Sequence, residues 1–366
     1  MEVRGTGVVG QCLALALARA GLRVALRSTA ARGPAGEDVR AYALNAASVA
    51  LLSGLKVWDA LPAHATTPVF DMHVRGDAGS AAIDFSAWQQ RVRALAWITD
   101  AAVLERELAN AVRFSPHVES IGPDDTVEAS LTALCDGQDS PGRAARGIEM
   151  DRVDYGHRAI AARLTSSRAH QGIARQWFRS PDVLALLPFD APQPGRSFAL
   201  VWSLPDAQAA ELLALEPAAF EARLMEATHG EAGVLTLASE RAGWPLARAT
   251  ATRWFGPGWV LLGDAAHVVH PLAGQGLNLG LADVATLVEV IGARETWRPL
   301  GDEKLLRRYA RDRTAPVWAM GQLTDGLLRL FADESPLARD WRNRGLTLAN
   351  RLSPLKQWLT ARALDA

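Results

Sequence analysis

Residues 263–283 read GDAAHVVHPLAGQGLNLGLAD, and they follow a compact apolar segment at 259–262 that is typical of a buried strand. Asp264 stands at the end of that strand, where its carboxylate can accept hydrogen bonds from a polyol. Gly274 and Gly276 have no side chains, so the backbone there can approach a flat ring closely. A helix that begins near Gly276 would direct the positive end of its dipole at that ring. This stretch therefore predicts a site for a flat ligand that carries a polyol.

A second glycine-rich stretch lies at the start of the chain, between a predicted strand at 1–4 and a predicted helix at 11–20. It has the form G-x-G-x-x-G, with its glycines at Gly5, Gly7 and Gly10. In this motif the first glycine permits a tight turn, the second lets the backbone approach a pyrophosphate, and the third lets the helix pack closely on the strand. Another apolar strand is predicted at 22–26, so the order is that of a dinucleotide-binding βαβ unit rather than of a turn without a ligand.

The end of this second strand departs from the usual motif. An acidic residue there normally binds ribose hydroxyls, whereas this chain has Ser28, which lacks the strength of a charge-assisted hydrogen bond. Glu37 and Asp38 in the following loop are candidates to replace the missing acid. The strand at 1–4 is also shorter than the about five residues that are usual, so we expect a further apolar segment upstream of Met1 in the gene.

A third motif follows a strand-like segment at 126–135. Residues 136–143 read DGQDSPGR, which has the form D-G-x-x-S-x-x-R. Asp136 and Asp264 each stand directly after a predicted strand. We therefore expect these two separate stretches to meet beside the opening glycine turn and to enclose one ligand.

The hydrophobic spacing between the motifs changes repeatedly between helix and strand. Helical spacing covers 38–61, 101–113 and 207–229, and strand-like alternation covers 69–85 and 155–204. After residue 263 the chain is mostly helical in pattern. This interleaving predicts an α/β fold in which a nucleotide-binding domain is interrupted by a sheet-rich domain and followed by a helical tail.

The composition limits the class of protein. The 366 residues suffice for about two domains, and 49% hydrophobic with 22% charged residues is ordinary for a globular enzyme and excludes a disordered chain. A net charge of -1 gives no basic field, so we expect no nucleic-acid partner. The two cysteines, Cys12 and Cys135, cannot form a disulfide framework, and His267 with His270 lack the further ligands of a metal site. Apolar runs fall short of the about 20 residues that span a bilayer, so we expect a cytoplasmic protein.

In this order and spacing, the three motifs resemble those of the class A single-component FAD monooxygenases. In particular the chain resembles the ubiquinone-biosynthesis (2-polyprenylphenol) hydroxylase family, which has the para-hydroxybenzoate hydroxylase fold. The likeness covers nearly the whole chain, with further similar segments at 38–44, 185–188 and 200–203. The motif at 263–283 is its most specific part. The resemblance implies a Rossmann-like FAD-binding domain of the GR2/PHBH type, an inserted antiparallel-sheet substrate domain and C-terminal helices.

The resemblance also implies an activity. The enzyme would hydroxylate an aromatic, phenol-like substrate, such as a prenylated ubiquinone precursor, with NAD(P)H and O₂ through a C4a-hydroperoxyflavin. The cofactor would carry this chemistry, so no catalytic side chain is expected, and the protein would exclude water and position the ring. Two alternatives stay open: a flavin-dependent dehydrogenase or reductase on the same fold, and a non-catalytic homologue that acts as a scaffold.

Roles for single residues follow from the same resemblance. The glycines of the first motif would hold the FAD pyrophosphate, Asp264 the ribityl chain, and the segment after residue 270 the isoalloxazine. The implied FAD contacts are Gly5, Gly7, Gly10, Ser28, Arg40, Asp136, Gly137, Asp264, Pro271, Gly274, Gln275, Gly276 and Asn278. The candidates for the substrate pocket, each of which could equally be a packing residue, are Trp177, Leu187, Trp202 and His270.

The expected division of the chain is discontinuous. The FAD-binding domain would comprise 1–66, 96–165 and 253–295, the substrate domain 67–95 and 166–252, and the C-terminal helical region 296–366. Within that last region, 337–366 combines basic residues with regularly spaced leucines and tryptophans. Such a segment either contacts a membrane surface peripherally or packs on the domain with its basic side in solvent. The sequence does not indicate an oligomeric state. It also does not indicate whether NADH or NADPH is the reductant.

Overall fold

The computed structural model describes residues 1–28, 38–76, 82–269 and 275–332, without the side chains of 323–324 and 327–332. Within these ranges the chain forms two large sheets, one small sheet and the helices that cover them. The strands are β1 (Glu2–Arg4), β2 (Val24–Arg27), β3 (Ala41–Leu44), β4 (Thr66–Val69), β5 (Asp71–Arg75), β6 (Ala82–Ser86), β7 (Ala96–Asp100), β8 (Val118–Ile121), β9 (Thr132–Leu134), β10 (Met150–Ser166), β11 (Ile173–Arg179), β12 (Asp182–Phe189), β13 (Ser197–Pro205), β14 (Leu235–Leu237), β15 (Ala242–Ala251), β16 (Phe255–Gly256), β17 (Trp259–Leu261) and β18 (His267–Val268). The helices are α1 (Val8–Arg19), α2 (Ala46–Gly54), α3 (Ala87–Gln90), α4 (Ala101–Arg113), α5 (Pro141–Ala144), α6 (Asp206–Ala214), α7 (Pro217–Thr228), α8 (Gln275–Gly292) and α9 (Glu303–Ala332).

The first sheet has the strand order β16-β17-β9-β1-β2-β8. The pairs from β17 to β8 are parallel, and β16 is antiparallel to β17. Strands of a parallel sheet are covered on both faces, which explains why every residue of β9 and β17 is buried. Helices α1 and α8 contact each other and bury their apolar sides in the core of this sheet. This arrangement confirms the predicted Rossmann-like α/β domain.

The second sheet has nine strands, in the order β18-β15-β10-β13-β12-β11-β5-β6, with β14 beside β10. Its pairs are antiparallel except for β11 with β5. Ile160, Leu200 and Trp202 lie on one face and pack with Phe220 of α7 in a separate apolar core. Residues of opposite parity lie on the other face, because side chains alternate along a strand. The predicted antiparallel-sheet domain is thereby confirmed.

The third sheet is small, with the order β3-β7-β4. Its first strand corrects the helix predicted over 38–61, because residues 41–44 form β3 and pair antiparallel with β7. The helix of this region, α2, begins only after Asn45, whose side-chain oxygen accepts a hydrogen bond from the Ser48 backbone N–H at 2.8 Å. The alanines of this segment favour a helix, so the pairing of β3 with β7 overrides the local preference.

The sheets also bear on the predicted division of the chain, which stays a prediction. β10 was expected to belong to the FAD-binding part up to residue 165, yet it pairs with β13 and β15 of the second sheet over nearly its whole length. The later segment 253–295 contributes the short strand β18 to the second sheet through its pairing with β15. The reason is that β10 is one long strand, with an irregularity between Asp154 and His157, that continues into the second sheet instead of ending at the first.

The described part of the C-terminal region consists mainly of α9, which packs against α8. Residues 337–366, to which we assigned a membrane contact or a packing role, lie outside the described residues. Among the helices that are described, none combines the length and the apolar character needed to cross a bilayer.

Candidate active site

The three motifs meet at one edge of the first sheet. β1 leads into Gly5, β9 into Asp136 and β17 into Asp264, and these three strands are parallel neighbours. Parallel neighbours end at the same edge, where open α/β sheets bind their ligands. The expectation that the separate stretches come together at the glycine turn is therefore correct.

The glycine turn has no room for side chains at two of its three glycines. Gly5 has φ +110°, and a Cβ atom built on it would lie 2.3 Å from the carbonyl oxygen of Cys135. A Cβ on Gly10 would lie 2.0 Å from the carbonyl oxygen of Gly5. Because Gly7 directly precedes α1, the free N–H groups of the helix start lie beside this turn. The backbone is thus exposed at the position where the motif holds a pyrophosphate.

The second motif is held by its own side chains. The Asp136 carboxylate accepts hydrogen bonds from the Ser140 hydroxyl and, at 3.0 Å, from the Gly142 N–H. Ser140 in turn caps α5 by accepting the Arg143 N–H at 3.0 Å. The Arg143 guanidinium donates to the carbonyl oxygens of Gln138 and, at 3.1 Å, Ala265. Arg143 thereby joins the second motif to the loop that carries Asp264.

The third motif rests on a buried charge network. Asp283 of α8 is fully buried, and its Oδ2 accepts the Gly263 N–H at 2.9 Å and lies 2.7 Å from His267 Nε2. Its Oδ1 accepts the Arg313 Nε–H of α9 at 2.7 Å. Burial by itself raises the pKa of Asp283, but His267 and Arg313 outweigh it and hold this pKa below the usual range. The turn that presents Asp264 is therefore fixed by both C-terminal helices.

Asp264 itself faces a cavity. Its side chain is accessible from that cavity but is surrounded by protein on its other sides. The resulting burial raises the pKa of the Asp264 carboxyl, although His267 and Arg40 act in the opposite direction. A carboxylate with this environment gains from a ligand that donates hydrogen bonds, as the hydroxyls of a ribityl chain do.

The cavity has a volume of about 1500 Å³, which exceeds the about 300–1,000 Å³ of most small-molecule pockets. One wall carries all the charged side chains that the described residues contribute to the lining. They are Arg40, Glu105, Arg113, Asp136, Asp139 and Asp264. The other wall is apolar. It consists of Ala159, Ala161, Val201, Trp244, Pro245, Leu246, Ala247 and Val268, which all belong to the second sheet.

Most of the described residues that we expected to contact FAD line this cavity. They are Gly5, Gly7, Arg40, Asp136, Gly137, Asp264 and Gly276. Gly10 packs behind the turn, and Gln275 is buried beside Gly276. Pro271, Gly274 and His270 lie outside the described residues.

Two other expected contacts have different places in the structure. Asn278 faces α2 and β3: its amide oxygen accepts from the Ser48 hydroxyl at 2.7 Å, and its nitrogen donates to the Ala43 carbonyl at 2.8 Å. Ser28 is absent from the cavity lining, although Leu26 of the same strand is part of it. Asn278 therefore fixes the start of α8, and the contact of Ser28 with the ribose stays a prediction.

The predicted substrate-pocket residues need a correction. Trp177 and Trp202 are 3% exposed and belong to the core on the far face of the second sheet. Trp202 donates its Nε1–H to Asp182 at 2.6 Å in that core. Its neighbour Val201 faces the cavity, since successive side chains of a strand point to opposite faces. Leu187 has the parity of Val201 but packs against the core beside the small sheet instead.

Sequence reasoning missed two groups of functional residues. Glu105 and Arg113 of α4 line the cavity, and the signal for them was their place on the polar side of a correctly predicted amphipathic helix. Arg313 and Asp283, which fix the third motif, are 30 residues apart and carry no local signal for their pairing. Long-range contacts of this kind are decided by the packing of α9 on α8.

The site fits FAD. Any Cβ at Gly5 or Gly10 would collide with the backbone of Cys135 or Gly5, so only glycines permit the tight turn that leaves the N–H groups at the start of α1 open to a phosphate. The polar wall provides donors for phosphates and acceptors for sugar hydroxyls, and the cavity has room for a dinucleotide beside a second ligand.

Comparison with known proteins agrees with this fit. A family model described as FAD binding domain matches residues 93–324. The 3-demethoxyubiquinol 3-hydroxylase of Escherichia coli (strain K12) is 31% identical over 98% of this chain and 96% of that protein. The ubiquinone hydroxylase UbiL of Rhodospirillum rubrum is 29% identical, over 98% of this chain and 88% of that protein. The crystal structure of PqsL from Pseudomonas aeruginosa has the same fold, with a TM-score of 0.77 and 21% identity over 94% of this chain and 98% of that chain. The chain therefore belongs to the class A FAD-dependent monooxygenases, in the family of the ubiquinone-biosynthesis hydroxylases.

Proposed function

We propose that this monooxygenase hydroxylates an uncharged aromatic ring with apolar substituents, of the phenol type found in quinone precursors. The observation that carries the proposal is the division of the cavity into a charged wall and an apolar wall. FAD, when bound, supplies the redox chemistry, since it accepts reducing equivalents from NAD(P)H and activates O₂ for insertion into the ring. The names of the related hydroxylases support the same class of substrate.

The polar wall would hold the cofactor. In this proposal the glycine turn binds the pyrophosphate, Asp264 accepts hydrogen bonds from the ribityl chain, and Arg40 with Asp136 and Gly137 completes the contacts. The start of α8, with Gln275 and Gly276, would face the isoalloxazine, and its dipole would favour a negative charge there. Pro271 and Gly274 stay proposed contacts of the same ring.

The apolar wall would hold the substrate. Ala159, Ala161 and Val201 are small, so they leave space between the second sheet and the polar wall. A buried carboxylate on the substrate would need a cationic partner, and the described part of this wall provides none. The wall also excludes water from the reacting ring, which protects activated oxygen from unproductive decay. We therefore expect prenylated or alkylated phenols to bind and hydroxybenzoates to bind poorly.

The test is the oxidation of NAD(P)H by the FAD-loaded enzyme under ¹⁸O₂. A prenylated phenol should stimulate the oxidation and yield a product with one ¹⁸O atom, and 4-hydroxybenzoate should do neither. Stimulated oxidation without ¹⁸O in the phenol would contradict its hydroxylation, because the reducing equivalents would then leave as hydrogen peroxide. Equal stimulation by 4-hydroxybenzoate would overturn the proposed substrate class.

A variant pair tests the wall itself. V201E places a carboxylate on the apolar wall, so the apparent KM for the prenylated phenol should rise by about tenfold or more. V153E is the matched control, because Val153 is 41% exposed and does not line the cavity. Equal KM values for the two variants would contradict the role of this wall.

A further inference from the structure

A dinucleotide bound in this cavity would extend to both sides of β1. The glycine turn follows β1 in the middle of the first sheet, with β9 and β17 on one side and β2 and β8 on the other. Asp136, Asp139 and Asp264 all follow β9 or β17. In a Rossmann-type unit the adenosine lies over the second strand, so here it extends from the turn toward β2 and β8. The acidic residues after β9 and β17 are therefore on the flavin side.

As far as Ser28, where the described part of this segment ends, β2 provides no acidic residue to the cavity lining. Arg27, the last residue of β2, is 8% exposed and turns into the protein, where it pairs with Glu2 at 2.6 Å. It also donates to the carbonyl oxygens of Gly122 and Asp125. Ser28 then binds the carbonyl oxygen of Ile121 through its N–H and does not reach the cavity lining. Among the described residues at this strand end, Arg27 is therefore engaged within the protein and Ser28 is not part of the lining.

Asp38 is not a substitute for the missing acid. Its carboxylate accepts the Arg40 N–H at 3.0 Å and two donors of the Arg40 guanidinium at 2.8 and 2.6 Å. It does not line the cavity. The other candidate, Glu37, lies outside the described residues.

Within the described residues, the part of the cavity on the β2–β8 side is lined by one carboxylate, which comes from α4. On the β2–β8 side, the described residues that line the cavity are Leu26, Glu105, Ala109, Val112, Arg113, Val118 and Ser120. Glu105 is their single acid. It lies one helical turn before Ala109 on α4, and the small Ala109 side chain leaves space beside it. Leu26, Val112 and Val118 provide apolar surface for the adenine ring.

We propose that Glu105 binds the hydroxyls of the adenosine ribose of FAD, in place of the acidic residue that the second strand lacks. Its Oε1 lies 3.4 Å from both the Tyr42 hydroxyl and Arg40, and these long contacts orient the carboxylate toward the cavity. Arg40 and Arg113 are the cations that line the cavity on the same side as Glu105. A carboxylate forms charge-assisted hydrogen bonds with a vicinal diol, which a neutral serine cannot match.

The test is a double-mutant cycle that combines removal of the Glu105 charge with removal of the two ribose hydroxyls of FAD. The full chain, freed of FAD, is titrated with FAD and with the FAD analogue whose adenosine is 2′,3′-dideoxy, and flavin fluorescence reports binding. The wild-type chain should bind FAD about 10- to 100-fold more tightly than the analogue. In E105Q that preference should largely disappear, because FAD affinity falls while the affinity for the analogue hardly changes.

Matched variants separate this effect from general damage to α4. E107Q carries the same change two residues away, where the side chain bonds Arg106 and Asn110 outside the cavity, and it should keep the wild-type preference. An unchanged preference in E105Q would overturn the proposal, and so would a loss of the preference in E37Q with E105Q unaffected. Binding is measured without substrate or turnover, so a wrong aromatic substrate would leave this result intact.

Discussion

Asp264 carries a stability cost and, in the proposed function, also binds FAD. Burial raises the pKa of its carboxyl, so the ionised group is held in the folded protein against its preference. A carboxyl with a raised pKa opposes folding increasingly as the pH rises from its ordinary pKa to its folded-state pKa, so the cost is greatest above both values. Access from the cavity moderates this cost, because solvent screens the charge.

Asp264→Asn should therefore have opposite effects on stability and on FAD affinity. The apoprotein should unfold at a temperature about 1–3 °C higher at pH 7, because the costly charge is gone. FAD should bind about tenfold more weakly, because a neutral amide is a poorer acceptor for the ribityl hydroxyls. Differential scanning calorimetry and flavin fluorescence measure the two effects. A lower unfolding temperature together with unchanged FAD affinity would refute both roles.

The residues of this site could be predicted from sequence to different degrees. Gly5, Gly7 and Asp264 follow strands in specific motifs, so their place at the cavity could be predicted. Trp202 was misplaced because the sequence does not say which face of a strand meets the cofactor, and a shift of one residue exchanges the faces. Glu105 was missed because a helix pattern predicts a polar side but not the cavity that this side lines.

Among the elements, α9 acts on the site through Arg313. Its Nε–H donates to Asp283, and another donor binds the Leu279 carbonyl oxygen at 3.1 Å. Tyr309, one turn earlier, donates its hydroxyl to the Leu261 carbonyl at the end of β17. Helix α9 thus binds both the end of β17, which leads into the turn with Asp264, and Asp283, which holds that turn.

Arg313→Gln should destabilise the protein and weaken FAD binding together. The change leaves Asp283 buried without its arginine, and such a loss costs about 3–5 kcal/mol of the free energy of unfolding. Arg311→Gln is the matched control, because Arg311 is 74% exposed and pairs with Asp312, so it should change stability by less than about 0.5 kcal/mol. Urea unfolding and FAD titration check both variants.

The same network predicts a direction for the effect of pH. Since the pKa of Asp283 is held below 3.8, its stabilising contribution is present above that value and is lost as the pH falls through the folded-state pKa. Arg313→Gln should show a weaker decline in stability over this acid range than the wild-type chain. A parallel decline in both proteins would place the acid sensitivity elsewhere.

Elements were predicted well where the local pattern and the tertiary structure agree. Residues 101–113 form α4 as expected, with Asp100 as the N-cap. The helix predicted over 207–229 is two helices, because Leu215 is extended and Pro217 starts α7. The strand β3 was missed because its partner, β7, is more than fifty residues away in the chain. The sequence pattern of a short segment does not indicate a partner strand so far away.

At the scale of the whole molecule, the order of the motifs determines where the cofactor must lie. The first sheet collects three strand ends from distant parts of the chain, and the second sheet closes the same cavity with its face of small side chains. A bound FAD would therefore contact segments that are far apart along the chain. Ligands that bind only the folded state raise its stability by mass action.

FAD should accordingly stabilise the entire chain against heat. At a free FAD concentration 100 times its Kd the gain is about 2.7 kcal/mol, which for a chain of this length raises the unfolding temperature by about 3–4 °C. Gly10→Ala should abolish the shift, because its Cβ would lie 2.0 Å from the Gly5 carbonyl oxygen and distort the glycine turn. V201E should keep the shift, because it alters only the wall opposite the nucleotide. Differential scanning calorimetry with and without FAD measures all three chains, and a full shift in Gly10→Ala would mean that FAD binds without the glycine turn.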